Sequence, residues 1–334
     1  MNWYKNKGTE GDIVLSTRVR LARNLRDYPF PARLSEEQKK AIGNTVRDVL
    51  AKNNGFDLDF IDMSELNPSE TVSLAEKHLI SPEFASDTAG RSLLLSKDED
   101  ISIMVCEEDH IRIQTVYPGL SLEEAFESAL KIDEALENEM VFAFDENLGY
   151  LTQCPTNIGT ALRASVMLHL PALSKKGAMQ RLSTTVAKLG LTLRGSYGEG
   201  SEISGDIYQL SNQVTLGISE EAAIKNLNSI AIQIITQEKQ ARAILIRDED
   251  YLDKIYRACG ILRSAYKLTS KELMNLISYV RVGVSEGVLD IPAEKLRALT
   301  VLLQPATLNT SEGKMLTQTE RDVLRSQKVR EELQ

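Results

Sequence analysis

The chain has few of the residues from which covalent or metal-stabilised frameworks are built. Its 334 residues include three cysteines and three histidines. The cysteines are far apart and odd in number, so they form neither a disulfide framework nor a zinc knuckle. The histidines, His78, His110 and His169, show no metal-ligand spacing. The fold must therefore depend on an ordinary core, which the 42% hydrophobic content supplies.

Other absences limit the classes of function open to the chain. No segment approaches ~20 uninterrupted apolar residues and no signal region is visible, so we expect a cytoplasmic protein without a membrane partner. The formal net charge of −9 argues against direct nucleic-acid binding through overall charge. There is no GxxxxGK[ST], no HRD or DFG set and no GxGxxG. P-loop enzymes, Ser/Thr/Tyr-type protein kinases and the dinucleotide fingerprint are therefore not supported.

Apolar periodicity divides the chain into two regions. Residues 1–245 alternate between short apolar strands and capped amphipathic helices. Because the strands are mostly consecutive, we predict an α+β domain with a mostly antiparallel sheet flanked by helices. Residues 250–334 have helical patterns at 250–266, 270–283, 292–303 and 319–333. These patterns predict a smaller, all-helical C-terminal domain.

The stretch from Cys154 to Arg163, CPTNIGTALR, is the most distinctive in the chain. Thr156 and Asn157 are good helix N-cap residues, and we predict that they open a helix running through Leu168. Cys154 would then lie near the positive end of a helix dipole, which lowers the pKa of a thiol and favours an anion. The alternative is a small buried cysteine at a strand-to-helix turn.

Residues 12–23 predict an extended segment that carries two arginines on one face. Val19 and Leu21 alternate with Arg18 and Arg20. Two guanidinium groups on one strand face repel each other unless an anion lies between them. A solvated edge strand is the alternative.

Three adjacent carboxylates and a histidine, Glu107-Glu108-Asp109-His110, stand between two predicted strands. A solvated turn tolerates this concentration of negative charge. The functional interpretation is a carboxylate whose pKa is shaped by its neighbours, and which acts as a general base or binds a cation.

A glycine-rich loop at 195–202 is bracketed by Arg194 and contains Glu199. Glycine loops are common, but one with an arginine and an isolated glutamate suits closure over a charged ligand. Together with Arg18, Arg20, Arg112 and Arg163, Arg194 completes a set of five arginines at strand ends or loop mouths. Five planar cations need a polyanion, and nucleotide phosphates fit that need. Glu108 and Glu199 could hold a cationic substrate beside a triphosphate.

These motifs resemble those of the phosphagen (guanidino) kinase family. Four segments carry the resemblance, in the same order as in the family: Ser16–Arg20, Glu107–Arg112, Cys154–Arg163 and Arg194–Glu199. The resemblance covers roughly residues 12–245. It implies a fold of antiparallel strands flanked by helices, and phosphoryl transfer from Mg-ATP to a guanidinium nitrogen.

The resemblance also implies a role for each site residue. ATP would be bound by Arg18, Arg20, His78, Arg112, Arg163 and Arg194. Glu108 would be the base and Glu199 its partner in gripping the guanidinium, with Cys154 beside it as a thiolate. The metal, Mg²⁺, would be held by ATP and water rather than by a protein cage.

Substrate size is predicted from the region before the first strand. Family members that act on small molecules carry a helical domain before the catalytic domain, whereas here the first strand is predicted from residue 12. We therefore expect a pocket open enough for an arginine side chain of a protein. A kinase for free arginine or another small guanidino compound is the alternative, and a silent module that binds phosphoarginine or nucleotide is a third.

The C-terminal region is similar to that of the branch of the family that phosphorylates proteins. Arg321-Asp322-Val-Leu-Arg325-Ser326 resembles an RDxxRA motif associated there with phosphoarginine recognition, with Ser326 in place of Ala. A charge pair on a helix surface is the alternative. The resemblance implies product-sensitive allostery and a homodimer. It also implies a stress-response role with a heat-shock repressor, a zinc-binding activator protein and a Clp ATPase/protease as partners.

Overall fold

The computed structural model describes residues 2–52, 55–195 and 204–334. The strands, in chain order, are β1 Val14–Arg23, β2 Leu58–Asp62, β3 Ser92–Ser96, β4 Ile101–Val105, β5 Ile111–Pro118, β6 Phe144–Asp145, β7 Gly149–Tyr150, β8 Leu162–His169, β9 Leu191–Gly195 and β10 Ile207–Asn212. Eight of them form one sheet in the order β2-β3-β4-β5-β1-β8-β10-β9, and β6 and β7 form a separate hairpin.

The helices of the first region are α1 Glu36–Lys52, α2 Pro68–Glu76, α3 Pro82–Ser86, α4 Leu122–Glu137, α5 Pro171–Lys175, α6 Met179–Ala187 and α7 Glu220–Leu245. Those that follow are α8 Glu249–Ser264, α9 Ser270–Ser285, α10 Ala293–Leu302, α11 Pro305–Glu312 and α12 Gln318–Leu333. None of these described helices combines the length and apolarity that crossing a membrane requires.

The large sheet is antiparallel at every strand pair, as predicted. β1 lies in its interior between β5 and β8, so the alternative of a solvated edge strand is wrong. Side chains alternate between the two faces of a strand. Val19, Leu21, Ile113, Val166 and Leu210 are buried on one face, which α4 and α7 cover. The arginines of β1 therefore lie on the other face.

The predicted helix after Cys154 is wrong. Residues Pro155–Asn157 form a single 3-10 turn, and Leu162–His169 is strand β8, paired with β1 and β10. Cap residues stabilise the first turn of either kind of helix, so they do not determine how far it continues. The segment becomes a strand because Leu162, Ala164, Val166 and Leu168 fill an interior position of the sheet.

The helices from α8 onward have a core of their own, which includes Leu262, Leu273, Ile277, Leu296 and Val329. Tyr251, Ile255 and Val282, by contrast, pack into the core of the sheet region. Helix α11 was absent from the predicted pattern, and α12 has a capping box of Thr317 and Glu320, so it begins at Gln318, one residue before the predicted pattern at 319–333. Glu76 of α2 accepts hydrogen bonds from the backbone N–H groups of Ala306 and Thr307 at the start of α11.

A buried ion pair fixes the end of β1 beside the site. Arg23 donates from Nε and from Nη2 to the Asp133 carboxylate on α4, at 3.1 and 2.6 Å, and the Arg23 side chain is 1% exposed. Its guanidinium also lies 3.5 Å from the centroid of the Tyr150 ring. This contact joins the central strand, the covering helix and the β6–β7 hairpin.

We expect Asp133→Ala to lower the free energy of unfolding by about 3 kcal/mol, because it leaves the buried Arg23 with only the longer, 3.5 Å contact to the Glu220 carboxylate. Urea denaturation of the purified protein measures this. The matched control is Asp253→Ala, which removes an exposed pair with Arg257 and should cost no more than about 1 kcal/mol. Equal effects of the two variants would contradict the role assigned to the buried pair.

Candidate active site

Strand register brings the predicted arginines onto one face of the sheet. Arg20 on β1 is directly opposite Arg163 on β8. Arg18 follows the same face two residues earlier, and its Nη2 donates to Gln209 Oε1 on β10 at 3.2 Å. Gln209 is in turn opposite Arg194 on β9. Four of the five arginines thus lie on β1, β8 and β9, with Gln209 of β10 between the last two strands.

Arg112 joins this face from β5. β5 pairs with β1, and in that pairing Arg112 is directly opposite Ala22 and Gln114 is directly opposite Arg20. The Arg112 guanidinium is bonded to the Glu107 carboxylate. Arg112 therefore has a fixed counter-charge in direct contact, whereas Arg20 forms no ion pair with the residues that the structure describes.

The arginine face carries more positive charge than its own side chains neutralise. Burial, followed by the charges of Arg18 and Arg112, holds the pKa of Arg20 well below its ordinary value. Arg20 Nε is buried and has no hydrogen-bond partner within the described ranges. Burial and the charge of Arg112 lower the pKa of Arg18 to about 10. A bound anion would restore both the charge balance and the missing hydrogen bonds.

His78 lies next to Arg18 although it is distant in sequence. It follows α2 with a φ of 61°, and its backbone carbonyl accepts from Gln114 Nε2 at 3.0 Å. Together with Arg18 and Gln209 it lines a small cleft on the arginine face. Burial first, and then the charge of Arg18, lower the pKa of His78 to about 4, so its ring is neutral at pH 7.

The structure gives the three adjacent carboxylates different environments. Glu107 is buried and bonded to Arg112 and to the Ser81 hydroxyl. Asp109 is also buried, and its Oδ1 accepts from Asn24 Nδ2 at 2.6 Å and from the Gln153 N–H at 2.8 Å. Glu108 between them is exposed. Partial burial, and then the charges of Asp109 and Glu107, raise the pKa of Glu108, which makes it the carboxylate suited to accept a proton.

Cys154 belongs to a turn that Arg163 holds in place. Arg163 donates from Nε to Asn157 Oδ1 at 3.0 Å and from Nη2 to the Thr156 hydroxyl at 3.2 Å. The Cys154 thiol lies 3.1 Å from that same hydroxyl. Cys154 is therefore partly exposed at the arginine face by a 3-10 turn, and not by a long helix as predicted.

Two adjoining cavities connect the arginines with the carboxylates. The larger, of 530 Å³, is lined by Arg20, Arg163, Arg194, Gln209 and Thr156 among others. The smaller, of 130 Å³, is lined by Arg20, Arg112, Arg163, Glu108 and Asn157 among others. Because Arg20 and Arg163 line both cavities, an anion in the first and a cation at Glu108 would be neighbours.

Glu199 and the other residues from 196 to 203 lie outside the described residues. The predicted partnership of Glu199 with Glu108 therefore stays a prediction. Arg194, which precedes that segment, is exposed near the end of β9.

Sequence reasoning missed several residues that shape the site. Gln209 holds Arg18, Asn24 holds Asp109, and Asn157 holds Arg163. Gln209 had a usable signal, since it lies in a segment, 206–217, in which polar and apolar residues alternate. Asn24 had none, because its partner is distant in sequence.

Within the residues described, no group of three or more His, Cys, Asp or Glu side chains is placed to hold a metal ion. The donor set on the arginine face is instead cationic, and it fits a polyanion that brings its own metal.

The C-terminal motif is divided between the core and the surface. Arg325 is 1% exposed and donates to the carbonyl groups of Leu268 and Leu303 and to Asp322. Ser326 is also buried and donates to the Ala265 carbonyl at 2.5 Å. Arg321 donates to the Leu316 carbonyl and lines an 830 Å³ cavity between α2 and α11.

Comparison with known proteins agrees with this geometry. A family model for the ATP:guanido phosphotransferase C-terminal catalytic domain matches residues 41–241, and one for the protein-arginine kinase McsB C-terminal domain matches residues 248–334. The chain is 45% identical over 335 residues to a protein-arginine kinase of Halothermothrix orenii, covering 99% of this chain and 96% of that one. It is 46% identical over 339 residues to the protein-arginine kinase of Geobacillus stearothermophilus, covering 99% and 93%.

A solved structure shares the fold. The crystal structure of a lombricine kinase superposes with a TM-score of 0.60 at 24% identity, covering 71% of this chain and 69% of that one. The likeness between the two chains is one of fold.

The fold and the site define an enzyme of the kinase class. The chain belongs to the ATP:guanido phosphotransferase family, whose members use ATP. The predictions of family, fold class and enzyme class are confirmed.

Proposed function

We propose that the protein transfers the γ-phosphoryl group of ATP to the guanidinium groups of arginine residues in proteins. The observation that carries the proposal is the cavity lined by Arg20, Arg112, Arg163 and Glu108, where phosphate-binding cations adjoin a carboxylate of raised pKa. The names of the nearly full-length relatives support protein arginine as the acceptor.

The proposed nucleotide site follows the arginine face. Its members are Arg18, Arg20, His78, Arg112, Arg163 and Arg194. The guanidinium groups would neutralise the phosphate oxygens, most of all at Arg20, whose Nε has no hydrogen-bond partner among the described residues. Mg²⁺ bound to the nucleotide would supply further charge neutralisation, in keeping with a site whose described residues form no cage for the ion.

Glu108 is the proposed base. A guanidinium stays protonated at neutral pH and is a poor nucleophile while its charge is delocalised. Glu108, with Glu199 as its proposed partner, would localise that charge and align one nitrogen. That nitrogen attacks the γ-phosphorus, the bond to the ADP oxygen breaks, and the nitrogen's proton passes to Glu108. Cys154 is proposed to lie beside the guanidinium as a thiolate.

The wider role is also a proposal, supported by the resemblance to the protein-phosphorylating branch. We infer a cytoplasmic homodimer that acts in a stress response and marks proteins for a Clp ATPase/protease. A heat-shock repressor is a proposed target and a zinc-binding activator protein a proposed partner. We also propose residues 1–245 and 250–334 as the catalytic and C-terminal domains, in keeping with the two family matches.

The C-terminal domain is proposed to bind phosphoarginine through Arg321, Asp322 and Arg325, as an allosteric site. Arg321 lines an 830 Å³ cavity, where a ligand has access to it. Arg325 is bonded to two backbone carbonyl groups and to Asp322, so it would act by holding Asp322 and the helix in position.

We expect labelled Mg-ATP to leave acid-labile, base-stable label on an unfolded arginine-rich protein, because a P–N bond is sensitive to acid. The parallel sample contains free arginine instead of the protein. Label on free arginine alone would identify a metabolite kinase, and label on neither, with the activator present, would support a binding module.

We expect Glu108→Gln to bind ATP normally and to lose transfer by about 10²–10⁴-fold, as removal of a general base does. In the unchanged protein, kcat/KM should fall as the pH falls through the pKa of Glu108, which lies above the ordinary glutamate value of about 4.3. Protonated Glu108 cannot accept the proton. The control is Glu249→Gln, which changes an exposed carboxylate in the first turn of α8. Full activity of the Glu108 variant would disprove the assignment.

We expect Arg321→Ala to abolish phosphoarginine binding while the fold is retained, because its side chain lines a surface cavity. Calorimetric titration with free phosphoarginine measures the binding. Arg257→Ala, on the exposed surface of α8, is the matched control and should bind normally. Unchanged binding by the Arg321 variant would refute the site.

A further inference from the structure

Six large apolar side chains are exposed on segments that adjoin the proposed active site. We call them the apolar rim: Tyr28, Val141, Phe144, Leu148, Val214 and Leu216, each 43–58% exposed. Large exposed apolar side chains that occur together, rather than singly, mark interaction surfaces.

The first side of the rim is tied to the carboxylate turn through Asn24. Asn24 Nδ2 donates to Asp109 Oδ1 at 2.6 Å and to the Leu151 carbonyl at 3.0 Å. The backbone carbonyl of Asn24 accepts from the Ala143 N–H at 2.7 Å. Ala143 is the residue before Phe144, and Asp109 the residue after Glu108. Through its hydrogen bonds, Asn24 thus links the start of the β6–β7 hairpin to the turn that carries Glu108, the proposed base.

Tyr28 extends this side. Its ring lies 6.2 Å, centroid to centroid and edge-on, from the ring of His110, the second residue after Glu108. The backbone N–H of Arg26 donates to the Val141 carbonyl at 3.1 Å, which joins the Tyr28 segment to the hairpin segment.

The second side of the rim reaches the Cys154 turn through close backbone contacts. The Tyr150 N–H donates to the Gly159 carbonyl at 2.8 Å, and the Thr160 N–H donates to the Thr215 carbonyl at 2.9 Å. Thr215, between Val214 and Leu216, also donates from its hydroxyl to the Thr156 carbonyl at 3.1 Å. The hairpin, the Cys154 turn and the 214–216 segment therefore form one continuous surface.

Glycine makes this contact possible. Gly159 has a φ of 112°, and a Cβ there would lie 2.0 Å from the Thr215 carbonyl oxygen. Gly149 has a φ of 73°, and a Cβ there would lie 2.5 Å from the Gly159 carbonyl oxygen. Backbone packing at these two glycines thus holds the hairpin, the Cys154 turn and the 214–216 segment together. This packing does not depend on the exposed side chains of the rim.

We infer that the apolar rim binds the substrate polypeptide on either side of the target arginine and selects arginines with apolar neighbours in sequence. The inference rests on the proposed function, because the arginine held at Glu108 fixes where the polypeptide passes. An extended chain advances only about 3.3 Å per residue, so the nearest flanking side chains must lie at the mouth of the site.

Charge on the rim fits the same occupant. Glu146, between Phe144 and Leu148, is an exposed carboxylate, which suits a segment that carries arginine cations; Asp27, next to Tyr28, is paired with Arg26. In a folded substrate, apolar residues next to an arginine are mostly buried. The rim would therefore direct the enzyme to unfolded or locally unfolded polypeptides, by contact with the same residues that unfolding exposes.

The test uses two fluorescent peptides with one arginine each, flanked by Leu and Phe in one and by Ser and Gly in the other. The double variant Phe144→Ser with Leu148→Ser should lose about tenfold in kcat/KM toward the apolar peptide, or about 1.4 kcal/mol, and little toward the polar one. Val214→Ser with Leu216→Ser should do the same from the other side. Tyr256→Ser, an aromatic residue 58% exposed on α8, is the matched control and should change neither.

Kd for each peptide, from fluorescence anisotropy in the presence of ADP, is measured in the same samples and does not depend on turnover. A selective loss of affinity for the apolar peptide supports the rim. Equal affinity of the unchanged protein for both peptides, or equal losses in the rim variants, overturns it while transfer to arginine still supports the proposed function. Selective binding without any transfer, with the activator present, instead overturns the proposed function alone. Thermal unfolding of each variant confirms that these exposed substitutions leave the fold intact.

Discussion

Repulsion among guanidinium groups is the constraint on which the arrangement of the site depends. Arg18, Arg20 and Arg112 lie on neighbouring interior strands: in addition to burial, the charge of Arg112 lowers the pKa of Arg18, and the charges of Arg18 and Arg112 lower that of Arg20. Such a cluster is unfavourable in an empty protein and favourable around a polyanion. The opposite face of the same strands, packed under α4 and α7, supplies the apolar burial that keeps the sheet intact.

The carboxylate side of the site obeys a complementary rule. Three acidic residues in a row are tolerable because two have fixed partners: Glu107 is ion-paired with Arg112 and accepts from Ser81, and Asp109 accepts hydrogen bonds from Asn24 and a backbone N–H. Their remaining charge acts on Glu108, which partial burial also affects. Glu108 is thereby left exposed with a raised pKa, and the buried residues on either side of it, Glu107 and Asp109, fix its position. The chemistry of the turn therefore depends on the different environments of the three carboxylates more than on their number.

Much of this could be predicted from the sequence, and the failures have physical causes. Alternation along β1 correctly placed Arg18 and Arg20 on one face, because a strand with one apolar face has a period of two. β8 has the same alternation, in Leu162, Ala164, Val166 and Leu168, but the preceding cap residues Thr156 and Asn157 favour a helix start, so the two local patterns conflict. Arg325 was predicted as a ligand-binding residue, but no local pattern indicated that its guanidinium would be 1% exposed and bonded to backbone carbonyl groups. The hydrogen bonds of Asn24 and Gln209 join segments far apart in sequence, and no local pattern records them.

The unpartnered nitrogen of Arg20 has a consequence for how such a chain changes over evolutionary time. A buried guanidinium that lacks its anion destabilises the free protein, so an uncharged residue of similar size at this position would favour folding. A descendant released from the need to transfer phosphate would therefore gain stability by losing Arg20 first. The presence of Arg20, set against that gradient, is the mark that continued selection for a working enzyme would leave.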